Sequence, residues 1–162
     1  MIYCLLISCV FLADQLVKRA VGMRLRGVRG MTLRFIPGLF HIVYVENTGA
    51  AFSILRDKRI FLILFTVLMI AALIVYMFLK RKSAPPMLLM GLSLVAGGGL
   101  GNLIDRIRLG YVVDYIEFLP FSFPVFNLAD ISVCMGCGLL LLHFAIEEFR
   151  ARGRKTLDGP AE

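Results

Sequence analysis

Four membrane-spanning helices carrying a small β-rich domain on one side are what this 162-residue chain predicts. Three observations lead there. Hydrophobic residues make up 59% of the sequence and its mean hydropathy is +0.84, whereas soluble domains use about 45–50% apolar residues. The apolar residues gather into four runs near the length of about 20 residues that a bilayer-crossing helix requires. Between two of these runs lie β-branched and aromatic segments punctuated by a turn signal. A water-soluble domain of this size cannot hide so much apolar surface, so lipid is its solvent.

The first run, residues 2–21, carries Asp14, Gln15, Lys18 and Arg19 in its outer third. It lacks a basic segment ahead of the apolar stretch and has an acid within it, so it reads as a retained span rather than a cleaved signal peptide. Leu6-Ile7-Ser8-Cys9 has the composition of a lipoprotein cleavage box, but too few residues precede it. Residues 22–59 form the first outer loop. Within it, 32–36 and 40–45 are strand-like and flank the turn signal Pro37-Gly38. The second run, 60–79, is free of charge, and the third, 87–103, follows the Pro85-Pro86 break and is rich in glycine. Gly97, Gly98, Gly99 and Gly101 suit close helix packing. The other loop, 104–127, is rich in Tyr and Phe, which settle at bilayer interfaces, and its prolines exclude one continuous helix. The fourth run is 128–146. Residues 1–149 thus form one membrane domain, and 150–162 a polar, frayed tail.

Net charge is +7. The basic residues cluster beside the apolar runs, where they meet anionic head groups, and form no nucleic-acid footprint. Both sides of the predicted topology are basic, so charge does not fix orientation. Cys4, Cys9, Cys134 and Cys137 lie within apolar runs and read as small packing residues. No His or second Cys pair completes a metal or redox site around Cys134 and Cys137, and His41 and His143 are isolated.

Polar groups that sit poorly in lipid collect at one level. They are Asp14 and Lys18, Glu46 and Asn47, then Asn102, Asp105 and Arg106, then Asp114, and finally Asn127 and Asp130. Spans one and three end on the side where span four begins, so the topology brings these groups to one membrane-edge site. Each also has a plain structural reading. Asp14 and Lys18, four apart on a helix, neutralise each other. Asp105 and Arg106 form an interfacial pair. Asn127 and Asp130 make a capping box at a helix N-terminus. Asp114 and Asp130 remain open between separate caps and a shared site, since acids at membrane depth default to function.

Four blocks carry a resemblance: Asp14-Gln15-Leu16-Val17-Lys18; residues 45–53, VENTGAAFS; residues 101–106, GNLIDR, running on to 110–116, GYVVDYI; and residues 126–130, FNLAD. Over nearly its whole length the chain resembles the signal peptidase II family of bacterial membrane aspartyl peptidases. The first block departs from the pattern in having Val17 where a hydroxyl residue is common. The resemblance implies Asp114 and Asp130 as the catalytic pair. It implies Asp14, Asn47, Asn102, Asp105, Arg106 and Asn127 as supporting or substrate-binding residues, with Lys18 and Gly49 beside them in the same motifs. It further implies cleavage of lipid-modified prolipoproteins before the diacylglyceryl cysteine, at the outer face of the cytoplasmic membrane, with both termini cytoplasmic. No metal or cofactor is expected, and the chain is expected to act as a monomer on a substrate held in membrane lipid. Two other readings stay open from the residues alone: a small proton-coupled transporter with the acids as a relay, and a non-catalytic assembly protein.

Overall fold

The computed structural model describes residues 1–27, 32–49 and 55–157. Its elements run in the order α1 (Ile2–Leu25), β1 (Leu33–Ile36), β2 (Phe40–Asn47), α2 (Arg59–Lys80), α3 (Pro86–Arg108), β3 (Val112–Phe118) and α4 (Leu128–Leu157). Among the described residues three helices, α2, α3 and α4, are long and apolar enough to cross a membrane. The fourth, α1, has comparable length but holds Asp14, Lys18 and Arg19. Each helix overruns the expected span. The tail in particular stays helical to Leu157 rather than fraying at Arg150, helped by pairs of Arg150 with Glu147 and Arg152 with Glu148 at helical spacing.

The hub is α3, which packs on α1, α2 and α4. Its small residues permit this. A Cβ at Gly98 would collide with the backbone oxygen of Ala129 on α4, and one at Gly97 would come within 2.9 Å of Val10 on α1. Gly91 and Gly136 face each other in the same way at the other end of the α3–α4 seam. In lipid, where apolar surfaces gain nothing by leaving solvent, such close backbone approach is what holds helices together. By contrast, α2 buries only Leu62, Ile70 and Met77, and most of its surface is left for lipid. All four cysteines are exposed, with Cys134 lining a cavity between α2 and α4, so none is buried within the helix packing that the sequence implied.

One polar knot supplements the apolar seams. Lys18, only 4% exposed, lies against Asp14, which is 0% exposed. Its ammonium is 2.9 Å from Asp14 Oδ2 and 2.9 Å from Asp105 Oδ2, and it donates to Asn102 Oδ1 at 2.9 Å. Three donors thereby meet three acceptors. Gln15 Nε2 donates to Asp105 Oδ1 at 3.1 Å and to the Gly101 carbonyl at 3.2 Å. The second oxygen of Asp14 accepts the Ala129 N–H at 3.0 Å, so the knot joins α1, α3 and the start of α4. Asp105 therefore pairs with Lys18, across the helix interface, instead of with its neighbour Arg106.

A three-stranded antiparallel sheet of order β1-β2-β3 caps the helices at this end. The expected turn lies between β1 and β2, where Gly38 takes φ +76°, a left-handed conformation that favours glycine. Within the aromatic loop, β3 pairs with β2 and sets Asp114 opposite Val45 and Val112 opposite Asn47. The chain then turns back, with Phe118 and Phe121 stacked edge to face at 4.7 Å, and returns through a bridge between Ile116 and Phe126. Residues 50–53 of the second sequence block, and Arg29, lie outside the described residues.

Lys18→Met should leave two buried carboxylates facing each other without their cation and cost about 3–5 kcal/mol, read as lost thermal stability in detergent. Gly98→Ala should destabilise the α3–α4 seam by about 1–3 kcal/mol, whereas Gly138→Ala, where a Cβ meets open space, should be near neutral in the same melt.

Candidate active site

The first turn of α4 positions Asp130. Asn127 precedes the helix; its side-chain Oδ1 accepts the Asp130 N–H at 2.9 Å, and Asp130 Oδ2 accepts the Asn127 N–H at 3.1 Å. These reciprocal bonds form the capping box seen in the sequence. The Leu128 N–H, another donor that the helix start leaves unpaired, is taken by the phenol oxygen of Tyr115 at 3.2 Å. Burial pushes the Tyr115 phenol up from its ordinary value, so it stays neutral.

Strand β3 positions Asp114 by alternation: the next residue, Tyr115, faces the helix ends and packs with Val21 and Leu25, while Asp114 turns to the opposite face. Both of its oxygens are occupied. Asn127 Nδ2 donates to Oδ1 at 2.6 Å and Asn47 Nδ2 donates to Oδ2 at 2.8 Å. Asn127 thus touches both acids, through its amide on Asp114 and through its backbone on Asp130. Asn102 relates the acids to the knot. Its Oδ1 accepts from Lys18, which orients its Nδ2 to donate to Asp130 Oδ1 at 2.7 Å.

Asp114 and Asp130 line a single cavity of about 1040 Å³. Asn47, Asn102 and Arg106 form its polar wall, and Phe61, Phe65 and Met135 form its lipid-side wall. The Asp114 carboxyl is pushed up to about 6, first by burial and further by the charge of Asp130, while hydrogen bonds from Asn47 and Asn127 pull it down. Arg106 donates to the Gly49 carbonyl at 2.7 Å through Nη2 and to the Asn102 carbonyl at 3.3 Å through Nη1. Gly49 is also held from its N–H, which donates to Asn47 Oδ1 at 2.9 Å.

Every residue that the sequence put at this level is therefore brought near it, in three tiers. Asn47, Asn102, Arg106, Asp114 and Asp130 line the cavity. Asn127 stands behind the acids, and Asp14, Lys18 and Asp105 form the buried floor. Glu46 reaches the rim, where Tyr44 donates to it at 3.4 Å. His41 sits elsewhere, 3.4 Å from Glu117 on the sheet. Gln15 and Tyr115 were not singled out by the sequence. A polar amide in an apolar run beside Asp14 was the available signal for Gln15. Tyr115 carried none, because its role depends on where β3 meets α4.

Known proteins resemble this chain over most of its length. Residues 6–146 match the family model described as signal peptidase (SPase) II. The lipoprotein signal peptidase of Halothermothrix orenii is 43% identical over 148 residues, covering 91% of this chain and 97% of that protein. The one from Enterococcus faecalis is 38% identical over 127 residues, covering 78% of each. A solved structure described as a bacterial membrane enzyme superposes with a TM-score of 0.83 at 32% identity, over 90% of this chain and 88% of that one. A second such structure gives 0.78 at 33% identity, over 88% and 91%. With the matched segment running from the first helix to the last, the chain belongs to the signal peptidase II family.

Proposed function

We propose that this chain is an aspartyl endopeptidase that removes the signal peptide from lipid-modified prolipoproteins, cleaving before the lipidated cysteine, with Asp114 and Asp130 as its catalytic pair. One observation carries the reading: two carboxylates from different elements, both bonded to Asn127, open into one cavity whose other wall is apolar. In this reading α1 is the fourth span, with Asp14 and Lys18 paired within the knot and Arg19 exposed near its outer end. The termini face the cytoplasm, and the sheet lies on the outer face of the bacterial cytoplasmic membrane. A relay transporter would need acids strung through the bilayer, whereas these gather at one end and α2 has no charge between Arg59 and Lys80.

The chemistry follows from paired acids. A shared site favours one proton between two carboxylates, and burial, which raises the Asp114 carboxyl to about 6, favours Asp114 as its holder. Asp130, ionised, takes a proton from a water whose oxygen attacks the scissile carbonyl. Asp114 gives its proton to the developing oxyanion. Collapse of the tetrahedral intermediate breaks the C–N bond as Asp130 passes its proton to the leaving amine, and Asp114 recovers a proton from the intermediate's hydroxyl. Asn102, Asn47 and Asn127 hold the acids in place, Arg106 and Gly49 line the path of the substrate backbone, and the substrate's acyl chains lie along Phe61, Phe65 and Met135. The chain acts as a monomer, because all these groups come from one copy.

Asp114→Asn and Asp130→Asn should each lower cleavage of a diacylated prolipoprotein peptide by about 10³-fold or more, with helical content and melting retained. Near-normal cleavage by either purified variant refutes the dyad. The acid form of Asp114 is the productive one and its value is about 6, so kcat/KM should fall as pH rises through that value. Asn47→Leu, which removes a hydrogen bond favouring the ionised form, should move the same limb upward. A flat profile between pH 5 and 7 (about one unit on either side) would remove the proton-donor role.

A further inference from the structure

A second cavity, of about 590 Å³, lies on the other side of the sheet, between β1, β2 and the outer end of α1. Its size is within the range of about 300–1,000 Å³ typical of small-ligand sites. Its lining is apolar except for Arg24 on α1 and Arg34 on β1, and contains no acid. Among the described residues no hydrogen bond or ion pair engages either arginine. Arg24 complements the C-terminal end of its helix, which does not account for Arg34 on a strand. Along α1, Arg24 stands six residues beyond Lys18, about 9 Å further outward, while Val17 and Val21 extend the groove back towards the bilayer interior. A groove that starts among aliphatic side chains in the membrane and ends between two unpaired guanidinium groups matches one molecule end to end.

We infer that this groove binds an anionic membrane phospholipid, with its phosphate between Arg24 and Arg34 and an acyl chain beneath the sheet. The site also touches the catalytic machinery. Phe126 and Ile131 line both cavities, and Tyr115, whose phenol anchors the start of α4, lines the lipid groove. An acyl chain in the groove therefore backs the two segments that carry Asp114 and Asp130. A zwitterionic lipid satisfies the apolar part but brings its own ammonium to the arginines, so the site selects net negative charge.

The test uses the full chain reconstituted in phosphatidylcholine vesicles, with and without phosphatidylglycerol, and spin-labelled phosphatidylglycerol as the probe. A motionally restricted lipid population is expected for wild type and for Asp114→Asn alike, so binding is read apart from the proposed chemistry. Arg24→Gln with Arg34→Gln should weaken that retention by roughly tenfold or more, as two guanidinium groups each worth several-fold near anionic lipid imply. The double variant should melt as wild type and keep wild-type turnover in phosphatidylcholine; a rate gain on adding phosphatidylglycerol is expected for the wild type and not for the double variant. Equal retention of labelled phosphatidylcholine and phosphatidylglycerol, or unchanged retention in the double variant, overturns the site. So does competitive displacement of the probe by a diacylated substrate peptide, which would make the groove part of the substrate's own path.

Discussion

The burial of Lys18 is the constraint on which the rest depends. An ammonium taken out of water costs several kcal/mol even after relaxation, and the cost is offset only if every proton finds an acceptor. Asp14, Asp105 and Asn102 supply those three acceptors at 2.9 Å each. Satisfying one cation therefore fixes α1 against α3, and through Asp14 and the Ala129 N–H it also fixes where α4 begins. The glycine seams let the helices approach; the knot determines the register at which they stop.

From that register the orientation of the acids follows without further freedom. With its oxygen committed to Lys18, Asn102 must present its amide to Asp130, and Asn127, committed through Oδ1 to the helix cap, must present its amide to Asp114. Capping and site-building are thus the same set of bonds. A residue that looks like ordinary helix punctuation is here the bridge between two carboxylates of one cavity, and the bland reading of Asn127 and Asp130 is correct without being complete.

Much of this was legible in the sequence because lipid leaves few options. The Asp14–Lys18 spacing, the Pro37-Gly38 turn and the Asn127–Asp130 box each carry a local signal and appear in the structure, and of the four apolar runs three become helices apolar enough to span a membrane. What was not legible depends on non-local pairing. The segment Val112–Phe118 looked like an aromatic interface stretch, yet its alternation is used by pairing with β2, and only that pairing sends Asp114 to one face and Tyr115 to the other. Asp105 seemed to belong to adjacent Arg106, but the buried cation on α1 claims it. The cysteines looked like packing residues, yet all four are exposed. No local pattern distinguishes the lipid-facing side of a helix that is apolar all round.

The packing of α2 has a consequence for how a substrate arrives. Among the helices, α2 packs chiefly on α3, yet Phe61 and Phe65 from it close one side of the cavity that Asp114 and Asp130 line. Phe61 and Phe65 are themselves exposed, so on the proposed topology that side faces lipid. On the proposed topology a molecule anchored in the outer leaflet would reach the acids sideways, by diffusion in two dimensions, while a dissolved peptide would have to find the cavity in three. Selectivity for anchored chains would in this way come from geometry of approach as much as from contacts made after arrival.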